Sequence, residues 1–303
     1  MLRWRLISAA VVLTILLGFL HLDFHYSHWI GASGLWLMPI LIALTVMATQ
    51  EMLHLLAGRN YLPVRWAVHA GTLMVVLASA APLAWDVMGK PYPPDCPLGK
   101  LGWPLLAFGF AVTLLFVAEM MRYREPGVAT VHLAAGVFVV GYIGVPLAFL
   151  AILRQFRDHA WGMAALISLI VIVKMSDTGA YFTGRAIGRH KFVPLLSPKK
   201  TVEGIIGGLV VACLSSLAFF YWIVPRLVGD ITYQPRWWGC LLYALVLAIA
   251  GIIGDLGESL MKRDLGQKDS STWLPGLGGV LDILDALLIA APAAFLCWAA
   301  GLV

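Results

Sequence analysis

The sequence predicts an all-α fold, a polytopic transmembrane helical bundle of about nine spans with a cytoplasmic N-terminus. Three observations predict it. Hydrophobic residues fill 61% of the 303 positions and charged residues only 12%, against about 25% charged in soluble domains. Mean hydropathy is +0.87. The apolar residues also fall into runs of roughly 17 to 25, each long enough to cross a hydrocarbon core about 30 Å thick.

The first run, 6–20, follows Arg3 and Arg5 and resembles a secretory signal. It reads as a retained helix, because no small-residue cleavage site precedes the polar segment His21 to His28. Further runs cover 33–54, 65–85, 103–121, 128–151, 160–182, 203–225, 237–261 and 280–302, separated by Pro-rich or charged loops. They divide one continuous membrane domain into N-terminal helices (1–160) and a C-terminal region (161–303) that carries the polar chemistry.

Alternating the loops from a cytoplasmic N-terminus gives a basic side and a poor one. Arg3, Arg5, Arg59, Arg65, Arg122, Arg124, Arg185, Arg189, Lys191, Lys199, Lys200, Lys262, Arg263 and Lys268 fall inside. Lys90, Lys100, Arg154, Arg157, Arg226 and Arg236 fall outside. The net charge of +5 is therefore topology information, and nucleic acid is not among the expected partners. Cys213, Cys240 and Cys297 lie in apolar runs and Cys96 in a loop, a pattern that supports no redox chemistry.

Polar residues concentrate in three places. On the run 160–182, Lys174, Asp177 and Tyr181 are spaced three and four apart, so they share a helical face. Ionisable residues in a span face a cavity, a substrate path or one another, and a buried Lys174–Asp177 ion pair that only fixes helix packing is the alternative. Next, Gly184 to Gly204 holds Arg185, Arg189, Lys191, Lys199 and Lys200, an anion-binding composition that equally fits an anchor on anionic lipid. Here Ser197 before Pro198 resembles an N-cap with proline at the first helical position, which would add free N–H groups beside Lys199 and Lys200. Gly204 and Gly208, four apart, read as a close helix contact.

The densest cluster runs from Gly254 to Asp285. Asp255, Ser259 and Lys262 are four and three apart on one helix end, and Asp282 and Asp285 three apart on the next. Two aspartates from facing helix ends can hold a hard cation such as Mg²⁺, which takes one or two carboxylates plus substrate phosphates. Pro275, Gly276, Gly278 and Gly279 between them permit close backbone approach to a ligand. A hydrated loop that pairs its charges internally is the alternative.

At these residues the chain resembles the phosphatidate cytidylyltransferase (CDP-diacylglycerol synthase) family, whose signature runs Ser-x-x-Lys-Arg, Lys-Asp, Gly-Gly-x-x-Asp-Arg-x-Asp. Ser259, Lys262, Arg263, Lys268, Asp269, Pro275, Gly278, Gly279, Asp282 and Asp285 match it in order and spacing. Upstream, Asp177-Thr178-Gly179-Ala180-Tyr181 with Gly184-Arg185, then Ser197-Pro198-Lys199-Lys200-Thr201-Val202-Glu203-Gly204, match two further segments. Two positions depart: Leu277 stands where the family carries His, and Ile283 where it carries Arg. Arg185, Arg189 and His190 are the nearby groups that could supply the lost charge.

The resemblance implies cytidylyl transfer from CTP to phosphatidic acid, with release of pyrophosphate, at the cytoplasmic face of the cell's inner membrane. It implies Mg²⁺ on Asp255 and Asp282 and admits a second, monovalent ion such as K⁺. Catalytic roles then fall to Asp255, Asp282, Asp285 and Lys262. Substrate contacts fall to Asp177, Tyr181, Arg185, Ser197, Lys199, Lys200, Thr201, Glu203, Ser259, Arg263, Lys268, Asp269, Gly278 and Gly279. Membrane lipid is the expected surrounding and a homodimer an admissible assembly. Transfer to another lipid phosphate is the nearest alternative; a transporter using Lys174 and Asp177 is the alternative from a different class.

Overall fold

With no water in a bilayer core, a spanning backbone must satisfy its own hydrogen bonds, so apolar runs become helices. The computed structural model bears this out. It describes residues 2–124, 126–230, 232–267, 271, 273 and 278–303, without the side chains of 2–6, 28 and 30. In order the helices are α1 (Leu2–Ile30), α2 (Met38–Ala57), α3 (Arg65–Ala78), α4 (Leu83–Val87), α5 (Gly99–Arg122), α6 (Ala129–Val139), α7 (Val145–Arg154) and α8 (His159–Ile187). A short hairpin follows, β1 (Lys191–Val193) and β2 (Ser197–Thr201), then α9 (Val202–Ala218), α10 (Val224–Val228), α11 (Trp237–Asp264) and α12 (Leu281–Ala299).

Among the described residues, eight helical stretches are long and apolar enough to cross a membrane, which makes this a multi-pass all-α membrane protein. The ninth expected run, 65–85, forms the 14-residue helix α3 and then the short α4. At 1.5 Å per residue α3 rises about 21 Å, short of the roughly 30 Å core.

Two spans contain π-helical turns, Val140–Gly144 between α6 and α7 and Phe219–Ile223 between α9 and α10. Each precedes a proline in the next helical turn, Pro146 and Pro225. Proline lacks the N–H that would bond four residues back, and a widened turn accommodates the missing bond without ending the span.

The chain divides into two compact units. The first comprises Met1–Gln155 and Asp264–Ile283. Its interior surrounds α3, where Gly71 lies against Ala111 of α5 and Val140; a Cβ there would stand 3.1 Å from each. Asp23 of α1 and Arg154 at the end of α7 form an ion pair with both side chains fully buried. Asp23 also accepts the Gly34 N–H at 2.9 Å. Arg154, counted above among the outer-loop cations, is thus an interior charge whose carboxylate lies 131 positions away.

The second unit comprises Phe156–Arg263 and Leu284–Val303. Asp158 caps α8 by accepting the N–H groups of Ala160 and Trp161, both at 3.0 Å. α8 and α9 meet along a glycine seam. A Cβ on Gly208 would come within 2.9 Å of the Ser176 carbonyl, and one on Gly204 within 2.9 Å of the Ala180 carbonyl. The close contact expected of those two glycines is present. Ser168, Tyr243 and Trp298 close the interior: the Ser168 and Tyr243 hydroxyls are 2.8 Å apart, and the Trp298 indole N–H donates to Tyr243 at 3.2 Å.

The N-cap expected at Ser197 is corrected. Ser197 to Thr201 is a strand, antiparallel to β1, with Lys191 opposite Thr201. Steric pressure from a following proline holds the preceding residue extended, and Pro198 does this to Ser197. The cap is instead Thr201, whose hydroxyl accepts the Gly204 N–H at 3.2 Å.

Candidate active site

The polar residues of the second unit converge from four elements. α8 presents Lys174 and Asp177 one turn apart, with Lys174 Nζ 3.3 Å from Asp177 Oδ2. This is the ion pair that the spacing admitted. β2 presents Lys200, whose Nζ lies 2.7 Å from Asp255 Oδ2 on α11. α12 adds Asp285, buried, within electrostatic range of Asp255, Lys174 and Asp177. Asp177 in turn feels both Asp255 and Lys200. Three carboxylates and two ammonium groups therefore share one region.

Small residues make the convergence sterically feasible. Gly254 precedes Asp255, and a Cβ at that position would run into the Asp285 carbonyl and the Ala286 backbone. Only glycine lets the α11 backbone lie this close to α12, so Asp255 and Asp285 are neighbours because residue 254 has no side chain.

The hairpin that brings Lys200 to Asp255 is itself tied down. Glu203, in the first turn of α9, accepts the backbone N–H groups of Arg189 and His190 at 3.0 and 3.2 Å and faces His190 Nδ1 at 2.6 Å. The Val202 N–H donates to the His190 carbonyl at 2.9 Å. Thr201 and Glu203, expected at the substrate, are thus engaged in fixing the cation-bearing strand. Ser197 and Lys199 share that strand, with Lys199 exposed. The Tyr181 hydroxyl accepts from Arg185 at 3.1 Å, both on the last turns of α8.

At the end of α11, Lys262 donates to the buried Glu258 at 2.8 Å, with half-buried Ser259 and exposed Arg263 beside it. Lys268, Asp269 and Leu277 lie outside the described residues. Gly278, Gly279 and Asp282 belong to the first unit. Gly278 has a φ of +93°, which L side chains rarely adopt, and a Cβ there would meet the Asp282 carboxylate. Asp282 Oδ2 accepts the Gly279 N–H at 2.6 Å. Ile283 follows within α12, its N–H on the Val280 carbonyl at 3.1 Å.

One residue of this region was not anticipated from sequence. Glu51 of α2, in the first unit, is 2% exposed and accepts hydrogen bonds from Ser271, Val280 and Leu281. Its signal was available: an acid within an otherwise apolar run, of the kind that marks a specific partner.

For a metal, the donor chemistry fits a hard cation. Among the described residues no three His, Cys, Asp or Glu side chains are grouped so as to hold a metal ion. An open set of carboxylate oxygens is what Mg²⁺ uses when substrate phosphates complete its shell. The lysines beside these acids carry the charge that an anionic phosphate would require.

Comparison with known proteins gives the same direction. The model of the Cytidylyltransferase family matches residues 4–300. The chain is 32% identical over 303 residues to a phosphatidate cytidylyltransferase of Brucella suis, covering 97% of this chain and 92% of the relative. It is 30% identical over 312 residues to the enzyme of that name from Haemophilus influenzae, with 96% of each chain covered. A Staphylococcus aureus protein of the same name is 33% identical over 188 residues, 62% of this chain. With a family model spanning nearly its whole length, this chain belongs to the cytidylyltransferase family.

Proposed function

We propose that this chain transfers the cytidylyl group of CTP to phosphatidic acid, forming CDP-diacylglycerol and releasing pyrophosphate. The observation that carries the reading is likeness along almost the entire chain to proteins named for that reaction. The clustering of Asp177, Lys200, Asp255 and Asp285 supports it from the chemistry side.

In the reaction an oxygen of the lipid phosphate forms a bond to the α-phosphorus of CTP, and the bond from that phosphorus to the pyrophosphate oxygen breaks. The nucleophile is already ionised at neutral pH, so no side chain need remove a proton from it. Charge is the obstacle, because two anions must approach each other. Cations fixed in advance stabilise that approach and the charge that develops on pyrophosphate. Lys262, Arg263 and Lys268 are assigned to the CTP phosphates, and Arg185, Lys199 and Lys200 to the lipid phosphate.

Asp255 and Asp282 are assigned to Mg²⁺, with Asp285 supporting the site. When bound, the ion supplies Lewis-acid stabilisation of phosphoryl oxygens. The site is assigned to the cytoplasmic face of the inner membrane, where CTP is available and where basic loops such as Gly184 to Gly204 are expected.

The test is CDP-lipid formation by purified protein in lipid nanodiscs supplied with CTP, phosphatidic acid and varied Mg²⁺. Metal-dependent CDP-diacylglycerol with equimolar pyrophosphate is expected. Product from a different lipid phosphate alone would reassign the acceptor, and absence of product with every acceptor overturns the proposal. Asp282→Asn should abolish turnover with expression intact; normal turnover would refute the metal assignment.

A further inference from the structure

Glu51 is a buried carboxylate within the span Leu35–Ala57, and such a group is costly unless it is fully hydrogen-bonded. Its Oε1 accepts from the Ser271 hydroxyl at 2.6 Å and from the Val280 N–H at 2.9 Å. Its Oε2 accepts from the Leu281 N–H at 2.8 Å. These partners lie 220, 229 and 230 positions away in the chain.

The location of those amides gives the contact its meaning. α12 starts at Leu281, and the first N–H groups of a helix have no partner within it. Local capping residues ordinarily satisfy them. Here a carboxylate from a distant helix does so, adding a negative charge where the helix dipole favours one. The preceding amide, Gly279, is held by Asp282 at 2.6 Å. Three successive backbone N–H groups, 279 to 281, are thus fixed by two carboxylates. Asp282 stands one residue beyond the second Glu51 bond.

We infer that Glu51 is a positioning residue for Asp282: by clamping the amides of 280 and 281 it sets the first turn of α12, and with it the orientation of the Asp282 carboxylate. The inference rests on the metal role assigned to Asp282 above. Glu51 acts through the backbone and touches no reacting atom. A helix whose first turn is free to fray could not hold a ligand to within the fraction of an ångström that an aligned phosphoryl transfer requires. Gly278 strengthens the argument, since its left-handed backbone packs against Asp282 and leaves that turn little alternative geometry.

The experiment compares Glu51→Ala and Glu51→Gln with the unmodified chain in nanodiscs, using three readouts. The first is amide hydrogen exchange of a peptide covering 279–283 in the ligand-free protein. The second is affinity for Mn²⁺, by electron paramagnetic resonance without nucleotide. The third is kcat and KM for CDP-lipid formation, normalised to folded protein. Losing a hydrogen bond to a charged group corresponds to roughly a 10- to 100-fold change in an opening equilibrium. Glu51→Ala should accelerate exchange at 279–283 by about that factor while α8 and α9 stay unchanged. Mn²⁺ affinity and kcat should fall about tenfold or more, with KM for CTP within about twofold.

Glu51→Gln retains one acceptor oxygen and the same volume; it should lie between the two and keeps the test available where the alanine variant does not fold. Unchanged exchange in both variants overturns the clamp. Faster exchange with unchanged Mn²⁺ affinity and unchanged kcat makes Glu51 merely structural and overturns the positioning role. An unmodified protein that forms no CDP-lipid refutes the proposed function instead, and exchange with Mn²⁺ affinity still decides the role of Glu51.

Discussion

Replacing Lys200 by methionine should move two constants in opposite directions. The ammonium lies 2.7 Å from Asp255 Oδ2 and within range of Asp177. Lys200→Met keeps the apolar stem on β2 and removes only the charge. Two unit charges about 4 Å apart interact by roughly 4 kcal/mol at an effective dielectric of 20 and roughly 1 kcal/mol in water. The side chains of Lys200 and Asp255 are 21% and 38% exposed, so screening brings the net coupling to about 1–2 kcal/mol. That corresponds to a change of roughly five- to thirtyfold.

The sign follows from what Lys200 opposes. On the proposed metal assignment it competes with a cation for Asp255, so its removal should tighten Mn²⁺ binding, measured by electron paramagnetic resonance without nucleotide. On the proposed lipid-phosphate assignment it also attracts an anionic substrate, so the KM for phosphatidic acid should rise by a similar factor. Both effects should shrink as ionic strength increases, because charges at this exposure are screened over about 10 Å at 0.1 M salt. Weaker metal binding together with a raised KM would show that Lys200 merely holds the fold. An unchanged pair of constants would remove it from the site.

Two further expectations concern the scaffold. Gly208→Val places atoms against the Ser176 carbonyl and Ala180, and overpacking there should cost about 1–3 kcal/mol, seen as a lower melting temperature in detergent. Gly257→Ala, where a Cβ meets nothing within 4 Å, should melt no lower than the parent, and equal losses in both variants would refute the seam. Asp23→Ala strips the fully buried Arg154 of its carboxylate and should cost about 3–5 kcal/mol. The apolar pair Asp23→Leu with Arg154→Met should recover most of that loss, and a double variant no better than the single would contradict the ion-pair argument.

How much was legible in the sequence follows from which forces are local. Apolar runs announced helices because the bilayer leaves them no other way to satisfy their backbone, and eight of the nine runs form helices of crossing length. The run 65–85 was misjudged in length because Ser79 to Pro82 breaks it, and hydropathy does not register a chain that turns inside a bundle. Ser197 was mistaken for a cap because both Ser-Pro and the later Thr201 carry capping chemistry. The decisive fact is hairpin pairing with β1, which sets Ser197 opposite Val193 and which a Ser-Pro dipeptide read alone does not reveal. Asp23, Arg154 and Glu51 were illegible as partners because a charge pattern read along one helix carries no information about a residue more than a hundred positions away. The signature residues were readable as a set, and Lys200 beside Asp255 gives that set a pairwise geometry between β2 and α11. The engagement of Thr201 and Glu203 with backbone could be seen only once the hairpin existed.

That hairpin has a thermodynamic consequence. A free segment like Gly184 to Gly204, 21 residues carrying five cations, would have to surrender backbone freedom each time it gathered around an anion, at about 1–2 kcal/mol per residue ordered. Here both feet of the segment stand on the α8–α9 seam and are tied to each other, Gly184 and Gly188 lying against Thr201 and Glu203 accepting the Arg189 and His190 amides. The ordering is therefore completed when the protein folds. A phosphate bound there would meet cations on a backbone already ordered, and the attraction it gained would be available for binding and chemistry instead of for assembling its own receptor.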